Sequence, residues 1–342
     1  MSVFVSGATG FIAQHIIGQL LEQNYKVIGT ARSQAKIDKL LKQFGNKPGF
    51  TMEIVNDISE LEAFDAVFKK HGKDVKYVLH TASPFHFEST NIEKDLLLPA
   101  VNGTKGILES IKKYAADSVE RVVITSSYAA IMDFKVENDV NTVRTEADWN
   151  PDTWESCQAN AHTGYCGSKK FAEKTAWEFL EANKNEVKFK LATVNPVFVF
   201  GPQYFDEDVS TKLNTSCEYV NQLVHAKADD PILPVCGGFI DVRDVAKAHI
   251  LAMQKEELIG QRLLMTGGKF NFQDIVDILN EDFPALQGNI PVGKPHTGAQ
   301  HKQIGAKVDN SKTKSLLGFE FRTLKEVIDD TAAQILKHEG KL

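Results

Sequence analysis

The chain has 342 residues and a formal net charge of −6, which allows one large domain or two smaller ones with ample core. The acidic balance argues against nucleic acid or an anionic membrane as partner, because both call for a basic surface. No apolar run reaches the length of a membrane span, and Met1-Ser2 passes straight into the strand-like Val3-Phe4-Val5, so we expect no signal or transit peptide and a cytoplasmic enzyme.

Residues 2–30 read as strand, tight turn, helix and strand. The turn Gly7-Ala8-Thr9-Gly10-Phe11-Ile12-Ala13 follows the apolar run and opens a helix over 11–21. Gly7 permits the turn, Gly10 admits a pyrophosphate to the positive end of the helix, and the small Ala13 lets helix and strand pack closely. A dinucleotide site is the reading that explains all three. The second strand, 25–30, ends at Ala31-Arg32-Ser33. An acid for the ribose 2′-hydroxyl is usual here in NAD-binding chains, whereas Arg32 and Lys36, one turn apart, offer positive charge for a 2′-phosphate. The cofactor expected is therefore NADP.

A third strand, 51–55, leads to Asp57 and Ile58, which could meet the adenine ring, and a helix follows over 61–70. The fourth strand, 77–80, runs into Thr81-Ala82-Ser83-Pro84, where small residues let a cofactor pass. Phe85, His86 and Phe87 come next, either as substrate wall or as packing. His71, His80 and His86 share no ligand spacing, so no metal site is expected. Cys157, Cys166, Cys217 and Cys236 form no CxxC pair and read as reduced thiols.

After a helix over 99–114, a fifth strand, 121–125, is almost wholly apolar, as a central parallel strand should be. It ends in Thr125-Ser126-Ser127-Tyr128. Ser127 stands at the carboxyl end of that strand, where open α/β sheets bind ligands, and could donate to a carbonyl oxygen or merely cap a turn. About forty residues on, Tyr165-Cys166-Gly167-Ser168-Lys169 puts a phenol and an ammonium on one face of a helix. Phe171, Ala172, Thr175, Ala176, Phe179 and Leu180 form its apolar stripe, with Lys170, Glu173, Lys174 and Glu181 off it. A cation beside the tyrosine should lower the phenol pKa from about 10 toward the working range of a general acid.

With these three motifs in this order, the chain resembles the extended short-chain dehydrogenase/reductases over essentially its whole length. Thr81-Ala82-Ser83-Pro84-Phe85, Asn195-Pro196-Val197 with Phe200-Gly201-Pro202, and Ile240-Asp241-Val242-Arg243-Asp244-Val245-Ala246 look like the dihydroflavonol-reductase-like branch. Thr153-Trp154-Glu155-Ser156-Cys157-Gln158 and Asn289-Ile290-Pro291-Val292-Gly293-Lys294-Pro295 are similar to the fungal NADPH-dependent methylglyoxal and 3-methylbutanal reductases. The resemblance implies Tyr165 as general acid, Lys169 on the nicotinamide ribose and Ser127 at the carbonyl. It implies an NADP site built from Gly7, Ala8, Thr9, Gly10, Phe11, Ile12, Arg32, Lys36, Asp57, Ile58, Ala82, Tyr165, Lys169, Pro196, Val199 and Ser216. Phe198 stands where several relatives carry a tyrosine.

The expected fold is α/β, a Rossmann-type doubly wound parallel sheet with a smaller C-terminal lid that binds substrate. Residues 1–200 form the NADP-binding part, with 239–268 returning to it. Residues 201–238 and 269–342 form the lid, with helices over 212–226, 273–283 and 324–336. Phe85, Tyr128, Met132, Phe134 and Phe198 would line a pocket for small or aromatic carbonyls. The activity expected is NADPH-dependent reduction of aldehydes, ketones and α-dicarbonyls. A nucleotide-sugar epimerase or dehydratase, or a non-catalytic NADP sensor, is the alternative.

Overall fold

The computed structural model describes residues 1–83, 91–298 and 305–342. Its layering follows from the first strand. Every residue of β1 (Ser2–Ser6) is buried. Val3 and Val5 join a cluster with Ile16, Ile17 and Leu20 of α1 (Phe11–Glu22), while Phe4 joins a second cluster with Phe64, Phe68 and Ile107. Successive strand side chains point to opposite faces, so a run buried throughout must be covered on both. Each fully buried Val or Phe contributes about 1.5–3 kcal/mol to that double layer.

The chain continues through β2 (Lys26–Ala31), α2 (Gln34–Gln43), β3 (Phe50–Ile54), α3 (Asp65–His71), β4 (Val75–His80), α4 (Leu98–Ala115) and β5 (Arg121–Thr125). Then come β6 (Val143–Arg144), α5 (Ala161–Ala182), β7 (Lys190–Pro196), β8 (Phe198–Phe200), α6 (Thr215–Val224), β9 (Cys236–Asp241), α7 (Val242–Gln254) and β10 (Arg262–Met265). The last strands are β11 (Gly268–Asn271), before α8 (Phe272–Asp282), and β12 (Lys307–Val308). Seven strands form one parallel sheet in the order β10-β7-β5-β4-β1-β2-β3. That is the doubly wound α/β sheet expected, with its reversal of strand order between β1 and β4.

Residues 261–266 enter this sheet through β10 at its edge, beside β7. Residues 240–253 do not enter it. The end of β9 lies in a separate three-stranded sheet, β11-β9-β8, and the rest is α7, which packs on α1. That small sheet, α6, α8 and the helix Leu324–His338 enclose a third core around Phe200, Phe270, Leu279 and Ile328. A further helix, Ser311–Leu317, was not expected; its short length gives little periodicity to read, and it ends at Gly318 with φ +70°. The helix expected from residue 61 begins only at Asp65, after turns closed by the Ala63 N–H on Glu60 O and the Asp65 N–H on Glu62 O. Among the described residues no helix is long and apolar enough to cross a membrane.

Among the described residues, His15, His80 and His249 are buried between these layers. His249 Nδ1 lies 2.8 Å from Val245 O, which can only accept, so Nδ1 carries the hydrogen and Nε2 accepts from the Thr125 hydroxyl at 2.7 Å. Burial pushes this ring down to about 4, and His80 down to about 3, where Lys169 adds to the effect. Burial also takes His15 down to about 4, against the opposing bond that its Nε2 donates to Pro202 O. A group whose folded pKa is depressed stabilises the fold fully above its unfolded value of about 6.5 and loses that contribution as pH falls toward the folded value. The melting temperature should therefore hold above pH 6.5 and drop as pH falls toward 4, each ring contributing on the order of 1 kcal/mol per pH unit. His249→Asn, which keeps a donor for Val245 O, should flatten that slope in melts at neutral and acid pH; a slope equal to wild type would refute the assignment.

Candidate active site

The turn after β1 is tied down from both sides. Ser6 Oγ accepts from the N–H groups of Thr81 and Ala82 at 3.0 and 3.1 Å, which leaves its own hydrogen for His80 Nδ1 at 2.8 Å. The Thr81 hydroxyl donates to Ser6 O at 2.6 Å. On the other side the Ala8 N–H donates to Thr30 O and the Gly7 N–H to the Thr30 hydroxyl. Gly7 has φ +66°, and a Cβ there would stand 3.0 Å from Ala82 Cα, so both backbone angle and crowding demand glycine.

This geometry fits a dinucleotide. Gly10 is the N-cap of α1, no side chain caps it, and the first turn carries no acid, so the helix presents its positive end unopposed. Arg32 and Lys36 are exposed beyond β2. Arg32 lies close enough to Asp57 to help hold its carboxyl below the usual range, after the larger effect of the Ser59 N–H, which donates at 2.8 Å. Lys36 and Thr9 line a cavity of about 300 Å³ between α1 and α2. Ile58 is different in kind, since its side chain is buried in the core against Gly103 of α4. Among the described residues no cluster of His, Cys, Asp and Glu could hold a metal.

The candidate reacting groups come from the segment just past β5 and from α5. Ser127 stands two residues past β5 in extended backbone, and its oxygen accepts from the Ala129 N–H at 3.1 Å, so it caps the turn that follows. The helix α5 starts at a capping box between Asn160 and Thr163. Gly164 and Gly167 let it lie against Ile92 and Cys157, where a Cβ would fall within 2.4 and 2.5 Å of a side-chain atom. So placed, Tyr165 hydrogen-bonds Ser127, and Lys169 Nζ sits 5.7 Å from the centre of the Tyr165 ring. Lys169 Nζ donates to the Ser83 hydroxyl at 3.0 Å. Ser83 was not singled out in the sequence, where it is one small residue among several.

The electrostatics differ from the expectation. Burial pushes the Tyr165 phenol up to about 12, and the Ser127 bond offsets only part of that. Burial also brings Lys169 down to about 8. Desolvation opposes the charged form of both groups at once, so the lowering expected from spacing alone is absent in this geometry.

The remaining candidates are placed as follows. Met132 meets Cys166, the neighbour of Tyr165, sulfur to sulfur at 3.9 Å. The Tyr128 hydroxyl donates to Glu137 Oε1 at 2.9 Å. Phe198 packs its ring on Tyr219 and Phe270 at 5.8 and 5.7 Å. Phe134 is 45% exposed, and Val199 is buried in the core. Pro196 closes β7 opposite Met265, and Ser216 lies in the first turn of α6. Ala82 follows β4 against Gly7. Pro84, Phe85, His86 and Phe87 lie outside the described residues. A larger cavity of about 800 Å³, lined by Arg243, Lys247, Phe319 and Arg322 among others, shares none of these residues.

One group escaped the sequence reading. Glu173, taken as off the apolar stripe, has a fully buried side chain, and the buried face of α5 runs through Cys166, Lys169, Lys170 and Glu173 to Ala176. The signal was its place four residues after Lys169, on the same face.

Comparison with known proteins gives the family. A profile of the NAD dependent epimerase/dehydratase family matches residues 3–265. The chain is 66% identical over 342 residues, all of both chains, to the NADPH-dependent methylglyoxal reductase GRE2 of Saccharomyces cerevisiae. It is 48% identical to a putative NADPH-dependent methylglyoxal reductase of Candida albicans over 98% of each. Among solved structures it matches yeast methylglyoxal/isovaleraldehyde reductase Gre2 complexed with NADPH, with TM-score 0.98 and 65% identity over the whole of both chains. The chain thus belongs to the NAD dependent epimerase/dehydratase family, the extended short-chain dehydrogenase/reductases.

Proposed function

We propose that this protein is an NADPH-dependent carbonyl reductase acting on small aldehydes, ketones and α-dicarbonyls of the methylglyoxal and 3-methylbutanal type. The observation that carries the reading is the hydrogen bond between Ser127 and a buried, protonated Tyr165, one helical turn from Lys169. Full-length identity to a reductase of that description supports it. In this reading NADPH supplies the hydride, held at the amino end of α1 with Arg32 and Lys36 on its 2′-phosphate. Ser127 and Tyr165 donate hydrogen bonds to the substrate oxygen, and the Tyr165 proton passes to that oxygen as negative charge develops. A phenol raised to about 12 starts every turnover protonated, as a proton donor must. The ammonium of Lys169 then stabilises the phenolate left behind, an effect strengthened by the same burial that raises the phenol in the resting site.

Residues 201–238 and 269–342 serve here as the substrate-binding part, with Phe198, Tyr128, Met132 and Phe134 shaping its apolar wall. The protein acts in the cytoplasm on a freely diffusing substrate. Arg32 favours NADP chemistry over the retained NAD of a sugar epimerase.

Purified protein should consume NADPH, followed by its absorbance, with methylglyoxal or 3-methylbutanal; binding of NADPH without consumption would overturn the proposal. Tyr165→Phe should lower turnover by about 10²–10⁴-fold while NADPH affinity stays. Arg32→Ala removes a charge-assisted contact and should narrow the preference for NADPH over NADH by about tenfold or more in kcat/KM. An unaltered ratio would remove Arg32 from the 2′-phosphate.

A further inference from the structure

Beneath the Tyr165 helix lies a buried carboxylate that the reaction itself does not use. Glu173 Oε1 accepts from Arg262 Nε at 2.6 Å, the Thr193 hydroxyl at 3.1 Å and Trp177 Nε1 at 3.3 Å. Its Oε2 accepts from the Ser126 hydroxyl at 2.6 Å, Asn195 Nδ2 at 2.7 Å and Arg262 Nη2 at 3.4 Å. Apart from Trp177, which is on α5 itself, the donors lie on or beside three strands: Ser126 just past the end of β5, Thr193 and Asn195 in β7, and Arg262 in β10. Asn195 carries the network onward, because Nδ2 also reaches Ser127 O at 3.3 Å. Arg262 is fixed in turn by the carbonyls of Glu146 and Asp148 at 2.8 and 2.5 Å and by stacking over Trp149 at 3.8 Å.

A buried ion pair of this kind adds little net stability over apolar residues of the same volume, because desolvation offsets the attraction. Its consequence here is geometric. Tyr165, Lys169 and Glu173 recur every four residues on one face of α5, so fixing the last against the strand ends fixes the height and rotation of the first two. Ser127 is tied to the same carboxylate through Asn195. We propose that Glu173, held by Arg262, is a positioning residue that sets the distance between Ser127 and Tyr165. This rests on the reading of Ser127 and Tyr165 as the pair that meets the substrate oxygen.

The test pairs two variants with Tyr165→Phe as control. Glu173→Met with Arg262→Met replaces the ion pair by apolar groups of similar length, and Asn195→Ala cuts the link to Ser127 while leaving the pair intact. Each is assayed for thermal stability, NADPH affinity, kcat, and the isotope effect on kcat with NADPH deuterated at the transferred position. The expected result is kcat lower by about ten- to a hundredfold, the cost of a small misplacement at the reacting atoms. NADPH affinity should stay within about twofold, and the isotope effect should rise because the chemical step now limits turnover. Unchanged kcat and isotope effect in a folded variant overturn the proposal. If the double variant does not fold, Asn195→Ala decides by the same criteria. Loss of turnover in Tyr165→Phe with none in Asn195→Ala rejects the positioning role alone, whereas full turnover in Tyr165→Phe rejects the underlying assignment.

Discussion

Glu173 brings the Tyr165 helix into register with β5, β7 and β10 through donors from each. The apolar clusters on the two faces of the sheet supply most of the driving force for folding, yet they are tolerant of small slides between helix and sheet. A carboxylate with both oxygens filled is not. Hydrogen bonds weaken steeply with distance and angle, and a donor left unpaired in this interior costs about 1–3 kcal/mol. On the positioning role proposed for Glu173, the placing of Tyr165 relative to Ser127 therefore depends on a polar contact between helix and strand ends that cannot be half made.

The same interior shapes the chemistry. Tyr165 and Lys169 are both held against their charged forms by desolvation, the phenol near 12 and the ammonium near 8. On the function proposed, a site in this state is ready to give a proton. The charge that develops on a substrate oxygen, and then on the phenol, is what the low-dielectric surroundings and the nearby ammonium would stabilise. A proton donor poised by burial thus differs from one poised by a depressed pKa, although both place a tyrosine and a lysine on successive turns of a helix.

Much of this was legible in the residues because the signals are local. The Gly7 to Ala13 turn, the apolar β5 and the Tyr165 to Lys169 spacing each fall within a few positions, and they appear in the structure as a turn opening a helix, a strand and a helix in that order. The phenol pKa was misjudged because spacing reports a neighbouring cation but not the depth at which both groups are buried. Glu173 was read as off the apolar face because its partner Arg262 lies 89 positions away in sequence, and only the folded sheet brings the two together. The depth of Ile58 was not legible either, because its packing against α4 is made only by the folded chain.

The central claim is that Tyr165 rests as a buried, neutral proton donor. The direct measurement is an NMR pH titration of protein carrying ¹³C at the ring carbon bonded to oxygen in each of its 7 tyrosines, with the Tyr165 signal assigned by its loss in Tyr165→Phe. The account predicts a phenol signal that persists past about pH 10, where an ordinary tyrosine is half ionised. A phenolate appearing near or below about pH 8 would show that the lysine outweighs burial, and would contradict it.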